Sequence, residues 1–209
     1  MEEAKTLKGT TTVGLVCSDG VLLAADKRAT MGYFIANREV EKIFQIDDVL
    51  ALTVAGSVGD AQTLVRYMKY EAQLYKMNYG KPMSVSAATT LLSNILAQYK
   101  FAPFYVQILV GGFDGKPRIF NLDPVGGVTE EKFVSTGSGS PVAYGLLEDA
   151  FRDDKSIKDN LKIALRALSA AMKRDVGTGD GIDLVSITPE EFKRYDKDTI
   201  KKLLETKHE

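Results

Sequence analysis

The 209-residue chain carries 27 Lys and Arg against 28 Asp and Glu, a formal charge of -1, and 44% of its residues are hydrophobic. That length suits one domain with a sizeable core, and the near-neutral balance gives no electrostatic footprint for nucleic acid or an anionic membrane surface. No stretch approaches the roughly 20 apolar residues of a membrane span and the first residues lack the apolar run of a secretory signal, so a cytoplasmic location is expected.

Cys17 is the only cysteine and His208, in a lysine-rich tail, the only histidine. An internal disulfide is excluded, and Cys17 reads as a small core residue on its strand. An imidazole in a tail expected to fray is a poor member of a Ser-His-Asp or Cys-His arrangement, and the same shortage argues against zinc. No cofactor and no metal are expected. If the chain is a hydrolase, its base is an amine or a carboxylate.

In chain order, the β-branched run from Thr10 to Cys17 reads as a strand, Ser18-Asp19-Gly20 as a turn, and Val21 to Asp26 as the returning strand of a hairpin. Further strands are expected at Tyr33–Ala36, Lys42–Ile46 and Val49–Ala55, the last apolar enough to be buried on both faces. Helical spacing starts near Asp60, with Ala61, Leu64, Val65, Met68, Ala72 and Tyr75 on one stripe, and a second helix spans Ser84–Tyr99 behind a Pro82/Ser84 start signal. Sheet resumes at Tyr105–Phe113 and Arg118–Leu122, followed by a shorter pair of strands around Gly127–Val134. Helices over Pro141–Phe151 and Ile157–Lys173 precede a last strand, Ile182–Ile187. Thr188 and Pro189 then predict the cap and first position of another helix, and the charged end a solvated helix at best. Segregated blocks of strands and helices suit a layered α+β fold better than alternating parallel α/β.

Three stretches invite a chemical reading. A cut after Gly9 would leave Thr10 as an N-terminus on a rigid strand, with a nucleophilic hydroxyl and a free α-amine on one residue; an amine of pKa about 7.7–8.0 can take the hydroxyl proton near neutral pH. Threonine-rich strands are common, so this run by itself is a weak signal. Gly111 to Pro117 lacks P-loop spacing and reads as a hairpin. Gly137-Ser138-Gly139-Ser140 leads into a helix and could hold an anion on its amides, but no other part of a nucleotide fingerprint accompanies it.

Gly9-Thr10-Thr11-Thr12-Val13-Gly14, Ala25-Asp26-Lys27-Arg28, Lys42-Ile43-Phe44, Ala55-Gly56-Ser57-Val58-Gly59-Asp60, Ser135-Thr136-Gly137-Ser138-Gly139-Ser140 and Lys173-Arg174-Asp175 together resemble the proteasome β subunits, archaeal type, of the N-terminal-nucleophile hydrolases. Each piece is weak singly; their joint order and spacing are specific. The resemblance implies a four-layer αββα sandwich, residues 1–9 as a propeptide removed by autocleavage between Gly9 and Thr10, and residues 10–209 as one catalytic domain. It further implies homo-heptameric β rings stacked with proteasome α subunits, a regulatory ATPase or cap, and unfolded polypeptide as substrate, with neither nucleic acid nor membrane as partner.

Residue by residue, the resemblance makes Thr10 the nucleophile of a threonine endopeptidase and Lys42 the lysine whose charge favours the alkoxide. Asp26 becomes the carboxylate partner of Lys42, Ser138 and Asp175 the pair that positions the amine, and Gly56 the backbone oxyanion donor. Thr178 stands where many of these subunits have serine, keeping the hydroxyl, and Asp180 is left without a role. Thr30 resembles the clamp for an extended peptide. Ala29, Val40, Val54 and Val58 match the first-subsite wall, which without a carboxylate favours cleavage after large apolar residues. Two other readings remain open at this stage: a catalytically silent ring subunit, and an N-terminal-nucleophile amidase acting on a small molecule.

Overall fold

The computed structural model describes residues 9–205; Met1–Lys8, the bulk of the expected propeptide, and the tail segment holding His208 lie outside the described residues. Two five-stranded sheets face each other. The first has the order β10-β1-β2-β11-β12, built from β1 (Thr11–Cys17), β2 (Gly20–Asp26), β10 (Phe133–Gly137), β11 (Ile182–Ile187) and β12 (Phe192–Arg194). The second has the order β5-β6-β7-β8-β9, from β5 (Ile43–Asp47), β6 (Leu50–Gly56), β7 (Val106–Phe113), β8 (Pro117–Leu122) and β9 (Val128–Glu131). A small separate ribbon joins β3 (Ala29–Met31) to β4 (Phe34–Asn37).

The strand period of two sorts the core into three seams. On β2, Val21, Leu23 and Ala25 face the second sheet and meet Leu109, Ile119 and Ala51, forming the inter-sheet core. Leu22 and Ala24, one residue out of phase, pack with Val13, Leu15 and Cys17 of β1 against α3 (Ser140–Ala150) and α4 (Ile157–Arg174). On the far side, Leu50, Leu52 and Val54 of β6 pack under α1 (Val58–Tyr79) and α2 (Val85–Gln98). The layers are therefore α1/α2, second sheet, first sheet, α3/α4, the αββα sandwich.

The helices start and stop where their ends are satisfied. Ser84 caps α2 by accepting from the Ala87 N–H, and Ser156 with Asp159 forms a reciprocal capping box on α4. Gly80 ends α1 in the left-handed conformation at φ 68°, its N–H on the Lys76 carbonyl.

Three expectations are corrected. The strands around residues 127–134 are not a pair: β9 lies on β8 in the second sheet and β10 on β1 in the first, so the chain changes sheet at Lys132, whose carbonyl accepts from the Val16 N–H at 2.8 Å. Thr188–Pro189 does not start a helix. Thr188 Oγ1 accepts from the N–H groups of Glu190 and Glu191 at 3.3 and 3.1 Å and closes a turn into β12, because side-chain bonding of this kind serves a turn as readily as a helix cap. The last helix, α5 (Lys197–Glu205), begins instead behind Asp196, which accepts from the Thr199 N–H at 2.7 Å, and it is anchored by buried Ile200 rather than solvated all round.

Candidate active site

β1 sits between β10 and β2, and the three threonines ahead of Val13 are all buried: Thr10 4%, Thr11 0% and Thr12 0% exposed. Thr12 points between the sheets, where its hydroxyl meets those of Thr136 at 2.6 Å and Thr53 at 3.2 Å. Thr11 points toward the helices and meets the Thr178 hydroxyl at 2.7 Å. Buried hydroxyls paired in this way fix the strand end, since an unmade bond in the interior is costly.

Thr10 lines a cavity of about 510 Å3. With the Gly9–Thr10 bond intact, its hydroxyl donates to the Gly9 carbonyl at 2.6 Å, and its backbone N–H donates to Ser138 Oγ at 3.3 Å. Gly9 is held from both sides. Its N–H donates to Thr30 Oγ1 at 2.8 Å, and its Cα lies so close to Gly177 that a Cβ added there would be 1.9 Å from the Gly177 Cα.

Beside Thr10 lies a buried ion pair. Lys42 Nζ donates to Asp26 Oδ1 at 2.6 Å and to the Arg28 carbonyl at 2.6 Å, with the lysine 5% and the aspartate 0% exposed. Asp26 is saturated: Oδ1 also accepts from the Thr11 N–H at 2.9 Å, and Oδ2 accepts from the N–H groups of Arg28 at 3.0 Å and Gly179 at 2.9 Å. Such saturation offsets the cost of taking a carboxylate out of water. Burial holds the Lys42 ammonium below its ordinary value of 10.5, and the Asp26 charge works against that shift.

On the other side of Thr10, Ser138 Oγ donates to Asp175 Oδ2 at 2.5 Å, and the Thr178 hydroxyl donates to the same oxygen. Ser138 is delivered by the end of β10 and Asp175 by the C-terminus of α4. The Gly137-Ser138-Gly139-Ser140 stretch thus presents its serine to a carboxylate, an arrangement that disfavours an anion there. Gly56 ends β6 at φ 133°, and a Cβ on it would meet the Tyr105 carbonyl oxygen at 2.1 Å, so only glycine fits this corner of the cavity.

Thr30, Ala29, Val40, Val54 and Val58 all line the cavity with Thr10, Lys42 and Gly56. The wall is not free of carboxylate, however: Glu41 lines it too. Glu41 is turned to Arg194, 2.9 Å away, which is itself bonded to buried Asp183 at 2.6 Å, so an ion pair engages the acid at the rim. Sequence reasoning also passed over Phe44 and Gln62 in the lining. The period-two series Val40, Lys42, Phe44 was a signal for the first; Gln62 carried none.

A hydroxyl on the carbonyl ahead of it, a buried cation next to it and a cavity in front of it make a site suited to acyl transfer. Among the described residues no cluster of His, Cys, Asp or Glu suits a metal ion, and no helix is long and apolar enough to cross a membrane.

A family model for proteasome subunits matches residues 6–187. The chain is 52% identical to a proteasome subunit beta of Methanosarcina mazei over 96% of this chain and 97% of that one. It is 54% identical to the proteasome subunit beta of Methanocaldococcus vulcanius, covering 95% and 91%, and 50% identical to that of Archaeoglobus fulgidus, covering 98% and 97%. With the family model spanning residues 6–187 and these relatives matched over at least nine-tenths of both chains, the chain belongs to the proteasome subunit family.

Proposed function

We propose that this chain is a catalytic β subunit of a proteasome core: a threonine-type endopeptidase that exposes Thr10 by its own cleavage after Gly9 and then hydrolyses unfolded polypeptide inside a barrel. The observation that carries the reading is the contact of the Thr10 hydroxyl with the Gly9 carbonyl, 2.6 Å, beside the buried Lys42–Asp26 pair.

In self-cleavage the Thr10 oxygen attacks the Gly9 carbonyl carbon. A C–O bond forms, the C–N bond to Thr10 breaks, and the hydroxyl proton passes to the departing nitrogen. Water then hydrolyses the ester, releasing the Gly9 carboxylate and regenerating the Thr10 hydroxyl. The freed amine, positioned by Ser138 and through it by Asp175, becomes the base that takes the hydroxyl proton in each later turnover. The Lys42 charge favours the alkoxide. The Gly56 N–H serves as oxyanion donor, a contribution of about 2.7–4 kcal/mol in comparable sites. A substrate strand would pair with the Thr30 segment and place its side chain against Ala29, Val40, Val54 and Val58. That wall favours apolar residues ahead of the scissile bond, because Glu41 is engaged by Arg194.

Relatives named as proteasome beta subunits support assembly with further subunits, and heptameric β rings capped by α rings and fed by an ATPase in the cytoplasm are the arrangement we infer. Intact mass of the purified full-length chain tests the reading. Loss of residues 1–9 from the wild type and their retention in Thr10→Ala is expected, with faster hydrolysis of peptides bearing leucine or tyrosine than arginine or aspartate ahead of the cut. A Thr10→Ala protein that hydrolyses peptides at the wild-type rate overturns it.

A further inference from the structure

Asp180 is an acid to which the resemblance gives no role, and its surroundings are unusual. It is the one non-glycine residue with positive φ among the described residues, at 62°. Its side chain is only 11% exposed and is gripped by two arginines: Oδ2 accepts from Arg28 Nε at 2.6 Å and Oδ1 from Arg38 Nη1 at 2.6 Å. A non-glycine residue stays in the left-handed region where its surroundings hold it there. Here the two guanidiniums do so, and they keep the carboxyl below the usual carboxylate range, Arg28 foremost.

The segment so held is the connection from α4 to β11, residues 175–181, which has no regular secondary structure. Its front end is tied to α4 through the Asp175 N–H on the Ala171 carbonyl at 2.8 Å. Its far end is tied by Asp180. Between these two anchors lie the Thr178 hydroxyl on Asp175 and the Gly179 N–H on Asp26. Arg28 grips the segment twice, its Nη1 also donating to the Val176 carbonyl at 2.8 Å, and a Cβ on Gly179 would lie 2.4 Å from that guanidinium. On its other side the Arg28 carbonyl accepts from Lys42 Nζ. Arg38 leads two residues on to Val40 of the cavity wall, whose N–H donates to the Lys27 carbonyl at 3.0 Å.

We propose that Asp180 is a positioning residue: through Arg28 and Arg38 it locks the 175–181 segment onto residues 26–28, and so holds Asp175, Thr178 and the Gly179 N–H in register with Thr10 and Asp26. This rests on the peptidase reading above. Asp180 touches neither Thr10 nor the cavity, so its loss acts on the alignment of the reacting groups rather than on the grip on substrate. The effect belongs in kcat.

The test uses full-length protein, with rates divided by the number of chains that have lost residues 1–9, counted by mass. Asp180→Gly removes the carboxylate while accepting φ 62° without strain, and Asp180→Asn keeps the left-handed tendency and an oxygen for one arginine. Asp180→Gly is expected to lower kcat about tenfold, short of the roughly 100-fold that a 1 Å misplacement can cost, with KM within about twofold. Asp180→Asn should recover part of the loss, and the Gly177, Thr178 and Gly179 amides should exchange hydrogen faster in Asp180→Gly. Wild-type kcat per processed chain in Asp180→Gly, or a loss that falls on KM alone, overturns the inference and leaves the peptidase reading standing. A wild type that neither loses residues 1–9 nor cleaves peptides sinks that reading instead.

Discussion

Replacing Lys42 by methionine keeps an unbranched stem of similar length and deletes the charge, which isolates the ion pair from the packing around it. Asp26, 0% exposed, then keeps three backbone N–H donors, from Thr11, Arg28 and Gly179, but loses its counterion. Removing one partner of a buried pair costs about 3–5 kcal/mol, and the three remaining N–H groups place the expectation at the lower end, about 3 kcal/mol. For a chain of this length that is a fall in Tm of about 6–12 °C. Adding Asp26→Asn removes the orphaned charge, so the double variant should recover at least about 1 kcal/mol relative to the sum of the single changes. It should not recover fully, because the amide NH2 must then face one of the N–H donors.

The pH dependence has a definite sign. A lysine held by burial below its unfolded value of 10.5 carries fewer protons folded than unfolded between the two values, so wild-type stability rises with pH across that window. Lys42→Met flattens that rise. Denaturant unfolding between neutral pH and 10, run beside intact mass and peptide turnover, reads all of these; neither Lys42 variant should lose residues 1–9. A Lys42→Met protein that melts within 2 °C of wild type, or that processes itself at the wild-type rate, refutes the electrostatic account of the pair.

Gly56→Ala places a Cβ 2.1 Å from the Tyr105 carbonyl oxygen at a φ of 133°, so the paired ends of β6 and β7 must shift. A loss of at least about 2 kcal/mol in urea unfolding and of nearly all peptidase activity is expected. Cys17 is 1% exposed and its thiol is pushed up to about 12 by burial, so the native protein should leave a thiol reagent unreacted over hours, whereas one thiol per chain should titrate after unfolding.

Much of this fold was legible locally. The unbroken apolar run Val49–Ala55 read as a strand buried on both faces, and the stripe Ala61, Leu64, Val65, Met68 and Ala72 read as the inner face of α1, because both patterns are short-range signals of burial. Where local chemistry is ambiguous the reading failed. The Thr188–Glu191 run satisfies a turn as well as a helix start, and the 127–134 stretch reads as two strands without saying that they belong to different sheets.

The sequence by itself determined the long strands and the first four helices, and that a threonine behind a glycine heads the first strand, since these follow from short-range spacing; the short strands β3 and β12 left no such signal. Only the tertiary structure decided which atoms meet around that threonine: Ser138 Oγ, from 128 residues away, accepts from its N–H, and Asp26 receives the Gly179 N–H across 153. Asp180, unassigned in the chain, gains its partners Arg28 and Arg38 across 152 and 142 residues. Such pairings carry no periodic trace, because their geometry is set by how two sheets and a seven-residue connection pack, not by the order in which the residues are strung.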